Sequence, residues 1–278
     1  MALTIDSLVR SLTLEPVDEG RYRAPNVDEG HGVIFGGQLL AQSVIAGRTA
    51  SPDKRVKTVH TIFARSGAPD TPVAIAVDVM HAGRAMASST VTISQGERLI
   101  ARSLVLLSGD EPDFIHHADD APPVPPPDEC RPMGNTVGAW EIRAASDADI
   151  VDPAHVGPPD LDVWTRFAGA PDDDGMAQAL LAYATDGFLI GTAMHPHEGV
   201  GQAQAHVTLS TGVLSHTVTF HEPFSAADWL LLAHHSVHAG HGRCYGRANV
   251  FRADGALCAS FVQDAMIRPM HQGTSSPL

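Results

Sequence analysis

The apolar and polar positions of this chain predict a helix followed by an antiparallel meander, and then the same succession again. Phe35-Gly36-Gly37-Gln38 opens a helical stretch over 39–46, where Leu40/Val44 and Ala41/Ile45 fall at i, i+4 spacing. Strand-like runs follow at 56–64, 73–81, 85–94 and 98–107. Thr90-Val91-Thr92-Ile93 alternates as a half-buried strand should, and Gln95-Gly96-Glu97 reads as a hairpin turn. The polar stretch 1–30 predicts only a short helix and an entry strand. In the second unit, Ala139–Arg143 and Val163–Phe167 are strand-like. A helix runs from Met176 to about Asp186, with Met176, Leu180 and Ala184 on one face. Asp172-Asp173-Asp174 places acids at its start, where the helix dipole favours them. Strand-like runs then recur at 216–221, 229–238, 244–252 and 256–267.

Residue identities repeat along with the pattern. His60-Thr61-Ile62 returns 156 residues on as His216-Thr217-Val218. His81-Ala82-Gly83-Arg84 returns two residues longer as His238 to Arg243, its histidine offset by 157, and Leu99-Ile100-Ala101 returns at 158 as Leu257-Cys258-Ala259. Solenoid repeats recur every ~20–50 residues, so this period marks two copies of a domain-sized unit. The division expected is a first unit over 1–108, a linker over 109–135, a second unit over 136–268 and a flexible tail over 269–278. The linker carries Pro122-Pro123-Val124-Pro125-Pro126-Pro127 among many acids, which predicts an extended, exposed segment without a core.

Hydrophobic residues make up 44% of the 278 and aromatics only 5%, so each unit can bury a core built from Ala, Val, Leu and Ile. A net charge of −14 without any basic run excludes the dense cationic footprint that nucleic acid requires, and argues against anionic membranes. No apolar run approaches the ~18 residues of a membrane span, and the N-terminus lacks signal-peptide character, so the expectation is a cytoplasmic protein without stable membrane insertion. Three cysteines without CxxC spacing (Cys130, Cys244, Cys258) fit reduced core thiols.

Several chemistries are ruled out by their missing motifs. There is no G-x-S-x-G elbow, no H-E-x-x-H helix, no Walker loop, and Gly240-His241-Gly242 lacks the third glycine of a dinucleotide loop. Among sixteen histidines, His234 and His238 share a strand face while His235 points away, and no carboxylate or cysteine joins them at ligand spacing. Neither a metal nor any other cofactor is expected.

Three segments of the second unit carry a resemblance: Leu180-Leu181-Ala182-Tyr183-Ala184-Thr185-Asp186, Phe220-His221-Glu222-Pro223-Phe224 with Asp228-Trp229-Leu230-Leu231, and Ala259 through Arg268. Together with Phe35-Gly36-Gly37-Gln38 and Val59-His60 through Gly67 in the first unit, they resemble the acyl-CoA thioesterase II family. The similarity covers nearly the whole chain apart from the Pro-rich linker. It implies an α+β double hot-dog: two antiparallel sheets, each wrapped around a central helix and joined side by side. It also implies hydrolysis of fatty acyl-CoA to free acid and CoA, and leaves room for a homo-oligomer.

By the same resemblance, the second repeat supplies a carboxylate, a hydroxyl and a carboxamide that hold a water. Asp186 stands at the carboxylate position and Gln263 at the carboxamide position. The hydroxyl position is taken by Val213, with Ser215 two residues on in place of a family Asp. Residues 211, 213 and 215 of an unbroken strand share a face, so Thr211 or Ser215 is expected to supply the hydroxyl. Gly36, Gly37 and Gln38 are expected at the substrate, with backbone N–H groups there holding the oxyanion. Arg243 and Arg247 match family positions and are expected at the CoA phosphates. His81-Ala82-Gly83 departs from the family's Arg-Asp-Gly. Read without the family, Asp186 is an exposed helix-end acid before a Gly187 cap, and Gln263 an edge-strand amide. Val213 also favours an alternative, a non-catalytic acyl-CoA binder of the same fold. A hydratase fits less well, because no Asp–His pair lies near Asp186.

Overall fold

The computed structural model describes residues 3–30, 32–133 and 138–270; most of the expected tail lies outside them. Ahead of the first meander come helix α1 (Ile5–Ser11) and strands β1 (Glu15–Asp18) and β2 (Arg21–Ala24). Helix α2 (Gly36–Arg48) follows, then β3 (Arg55–Phe63), β4 (Val73–Ala82), β5 (Met86–Gln95) and β6 (Arg98–Ser108). The second half holds β7 (Arg131–Pro132), β8 (Trp140–Ala144), β9 (Asp160–Phe167), helices α3 (Asp174–Thr185) and α4 (Leu189–Met194), and strands β10 (Leu209–Phe220), β11 (Leu230–Gly240), β12 (Arg243–Arg252) and β13 (Leu257–Pro269). Most predicted runs match these elements to within one or two residues. The strand predicted at 216–221 starts seven residues earlier, because Gly212 and the polar Ser210 and Thr211 hide its N-terminal half.

The two sheets join side by side into one. All thirteen strands form a continuous array in the order β1-β2-β4-β5-β6-β3-β10-β13-β12-β11-β9-β8-β7, and every pairing between named strands is antiparallel. The halves meet at β3 and β10, where Thr61 lies opposite His216 and His60 opposite Thr217. Each strand covers what would otherwise be an open edge of the other. Side chains reinforce the seam: Lys57 Nζ donates to the Phe220 carbonyl at 2.7 Å, and Gln178 Nε2 to the Val56 carbonyl at 2.7 Å.

Helices α2 and α3 lie against each other on one face of this sheet, and both are buried almost all round. Small residues make the close approach possible. A Cβ on Gly37 would run into the Tyr183 carbonyl of α3, and one on Gly47 would lie 2.7 Å from the Val105 side chain. Leu40, Val44, Leu180 and Ala182, none of them solvent-accessible, fill the space between helices and sheet.

The Pro-rich linker differs from expectation. Its second half packs across the outer side of the sheet at β9, β11 and β12: Cys130 is buried with Trp164, Leu231 and Phe251, and Ala121 and Val124 lie against them. Trp164 Nε1 donates to the Pro125 carbonyl at 2.9 Å and Arg143 to the Pro127 carbonyl at 2.9 Å. Proline has no N–H to leave unpaired, so its carbonyls alone need partners, and the sheet provides them. The first part, around the exposed Phe114 and Ile115, remains open to solvent.

Candidate active site

Asp173 caps the start of α3 by accepting the Met176 N–H at 2.8 Å, and the helix ends at Asp186. Asp186 keeps a right-handed conformation (φ −80°), and Gly187 is not left-handed, so the expected glycine cap is absent. The acid is buried, at 9% exposure, because the N-terminus of α2 lies directly over it. The Cβ of any residue replacing Gly36 would lie 2.6 Å from Asp186 Oδ2, so only a bare backbone leaves room for the carboxylate. The Gly37 N–H donates to the Asp186 carboxyl, placing it in the positive field of a helix start.

Burial nevertheless dominates: it pushes the Asp186 carboxyl up to about 8, with the Gly37 hydrogen bond pulling the other way and the charge of Glu29 adding to the rise. Glu29 accepts a hydrogen bond from the Tyr183 hydroxyl, and burial together with Glu29 raises that phenol too. Asp186 Oδ1 is buried without a hydrogen-bond partner among the described residues.

The residue before Asp186 connects the helix to the sheet. Thr185 Oγ1 lies 3.0 Å from His216 Nε2, and His216 Nδ1 lies 3.1 Å from Gln263 Oε1. Thr185 and His216 are fully buried, and Gln263 is 2% exposed. Desolvation pushes His216 down to about 3, so its ring is neutral. The other terminal atom of the Gln263 amide is also buried and unpartnered. Phe261 stacks on His216 at 5.4 Å and meets His234 edge-on. His234, buried and pushed down to about 4 by desolvation, has an unpartnered Nε2.

A β-bulge redistributes the candidate hydroxyls. Val213 pairs with Ala265, but Ser215 pairs with Asp264 and His216 with Gln263, so Leu214 is the extra residue. Directly opposed residues point to the same side of a sheet. Ser215 therefore shares the outer side with Asp264 and the exposed Tyr245, whereas Thr211, Val213, His216 and Gln263 face the helices. The expectation of a common face for 211, 213 and 215 fails at this bulge. Thr211 is buried opposite Ile267, two positions beyond Val213.

The remaining candidates have definite partners. Gln38 is fully buried and holds the 25–30 segment, accepting from the Val27 N–H at 2.9 Å and donating to Asn26 at 2.7 Å. Arg243 makes a two-pronged ion pair with Asp264 at 3.1 and 2.6 Å. It and Arg247 alternate with the buried Cys244, Gly246 and Ala248, on the outer side of β12. A cavity of about 640 Å³ opens at the opposite end of α3, lined by Arg55, Lys57, Asp174, Gln178 and Glu222 among others, and not by Asp186 or Gln263. Among the described residues, no three His, Cys, Asp or Glu side chains gather as a metal site. His216 and His234 are members of this region to which no role attaches in the sequence. The one pointer was the His60/His216 duplication, which marks equivalent strands but says nothing of burial.

Known proteins supply the family. Residues 24–108 match the description "Acyl-CoA thioesterase N-terminal domain", and residues 118–267 match "Acyl-CoA thioesterase C-terminal domain". The chain belongs to the acyl-CoA thioesterase II family. Human acyl-coenzyme A thioesterase 8 is 28% identical over 96% of this chain and 90% of its own length. Acyl-CoA thioesterase 2 of Haemophilus influenzae is 27% identical over 96% and 99%. Among solved structures, the acyl-CoA thioesterase II TesB2 of Mycobacterium marinum superposes with a TM-score of 0.80 at 26% identity, covering 98% of this chain and 99% of that one. A protein with hot dog fold from Alicyclobacillus acidocaldarius, at 17% identity, has a TM-score of 0.77 over 95% and 98% of the two chains. That likeness is one of fold alone.

Proposed function

We propose that this member of the family hydrolyses fatty acyl-CoA thioesters to free fatty acid and CoA, using a water held between Asp186 and Gln263. In this reading each half, 1–108 and 136–268, is a hot-dog unit joined by the 109–135 segment, and the reaction belongs to their seam. The observation that carries it is a pair of buried polar atoms without partners, Asp186 Oδ1 and the free end of the Gln263 amide. They are linked through Thr185 and His216. Unpaired buried polar groups cost about 1–3 kcal/mol each, and a bound water satisfies both. Asp186 accepts a proton as the water oxygen adds to the thioester carbonyl carbon. The tetrahedral intermediate then expels the CoA sulfur, which takes the proton. Gly36 and Gly37 serve by letting the carboxylate reach the seam. No helix among the described residues is long and apolar enough to cross a membrane, and the proposed setting is the cytoplasm.

Thiol release from acyl-CoAs of several chain lengths tests the proposal. Turnover that depends on Asp186 supports it, and no release from any of them refutes it. Val213 favours a second reading, an acyl-CoA binder that no longer turns over; retention of intact palmitoyl-CoA over hours would establish that reading. Val213 faces the helices beside the bulge, so Val213→Thr puts a hydroxyl on the side that carries Gln263. We expect hydrolysis to rise by about tenfold, the effect of one added orienting contact. Equal rates in variant and wild type would show that this position does not touch the water.

A further inference from the structure

We infer that His216 is a positioning residue that fixes the Gln263 carboxamide with its nitrogen toward the imidazole and its carbonyl oxygen toward the water. This rests on the hydrolytic reading and specifies how the amide acts in it. The direction follows from counting protons. The Thr185 hydroxyl donates to the Ala182 carbonyl at 2.8 Å, while the Gly187 N–H closes the helix end on Ala184. Having spent its one proton, Thr185 accepts from His216 at 3.0 Å, so Nε2 carries the single proton of the neutral ring. Nδ1 is then bare and faces Gln263 Oε1 at 3.1 Å, acceptor against acceptor, so the contact becomes a bond only with the amide turned over and its nitrogen toward the ring. The opposite arrangement breaks the Thr185–Ala182 bond and leaves both amide protons of Gln263 unpaired in a buried site. Orphaned buried N–H groups are rarer than under-satisfied carbonyls.

The first half of the chain supplies an independent comparison. Thr61, opposite His216 on the central ladder, bonds Ser103 at 2.7 Å; Ser103 donates to Ser43 at 2.9 Å, and Ser43 to the Leu39 carbonyl at 2.8 Å. That series also passes protons from sheet to helix carbonyl, and none of its three hydroxyls is unpartnered. Three hydroxyls are thus sufficient to fasten a helix to the sheet. The His–Gln pair of the second half does the same and leaves one amide atom over. With its carbonyl oxygen outward, Gln263 accepts one proton of the water while Asp186 accepts the other, which aims the oxygen lone pairs at the thioester.

Two measurements test this. In wild-type protein with ¹⁵N-labelled histidine, the His216 ring, assigned by its NOEs to Phe261 and Thr185, should carry its proton on Nε2; a proton on Nδ1 overturns the inference. In thiol-release kinetics, His216→Phe keeps the stack on Phe261 but should lose about 10–100-fold in kcat with little change in KM. His216→Asn, whose oxygen can accept the amide N–H, should recover most of that loss. A Phe variant as active as wild type, or an Asn variant no better than Phe, refutes the positioning role. The ring spectrum remains informative even if no acyl-CoA is hydrolysed, a result that would remove the hydrolytic reading alone.

Discussion

Asp186→Asn is expected to abolish thiol release, by about 10²–10⁴-fold, while making the protein more stable at alkaline pH. The amide preserves the acceptor for the Gly37 N–H but cannot take a proton. The stability gain follows from the raised carboxyl. In the folded chain Asp186 keeps its proton up to about 8, whereas unfolded it titrates near 3.8. Between those limits the native state binds the extra proton, so this group makes stability fall as pH rises, and its cost is complete above about 8. Removing the charge should therefore raise ΔG of unfolding by about 1–3 kcal/mol at pH 9 and by almost nothing at pH 4. Urea unfolding of both proteins at the two pH values measures this, and an unchanged difference between them would mean that Asp186 is not desolvated. In wild type the same group should make kcat/KM climb with pH and level off above about 8. A flat profile between pH 6 and 9 would show that it is not the base.

The second large effect separates two adjacent glycines. A methyl at residue 37 meets the Tyr183 backbone oxygen of α3 and lies 2.5 Å from the Phe35 ring. The Tyr183 backbone cannot yield without moving the two helices apart. Gly37→Ala should therefore cost about 2–3 kcal/mol, lowering Tm by about 4–10 °C. At residue 36 the methyl meets only the end of a side chain, Asp186 Oδ2 at 2.6 Å. Gly36→Ala should leave Tm almost unchanged and lower kcat by about 10–100-fold, because the carboxylate is displaced. Thermal unfolding and thiol release on the same two preparations decide the matter. Similar Tm values for the two variants would contradict the helix contact described.

Much of the fold was legible because its signals are local. The i, i+4 spacing in 39–46 and 176–186 and the alternation around Thr90–Ile93 report burial directly. Helix α4 escaped notice because it is only six residues long, too short for a periodicity to register. The linker was misread for a related reason: proline-rich composition forbids regular hydrogen bonding, yet it does not forbid packing on a neighbouring sheet. In the site, Asp186 and Gln263 stand out only through the family resemblance, since each read alone is an ordinary polar residue, one at a helix end and one within a strand.

By itself, the order of residues determined the duplication and the two helix-plus-meander units. Tertiary structure decided that both sheets are one and that Leu214 bulges out, turning Ser215 away. It also laid the α2 N-terminus on Asp186 and joined His216 to Gln263. These outcomes depend on contacts between residues that are far apart in sequence, and on a one-residue shift that reverses a strand's faces. Neither leaves a mark in local spacing.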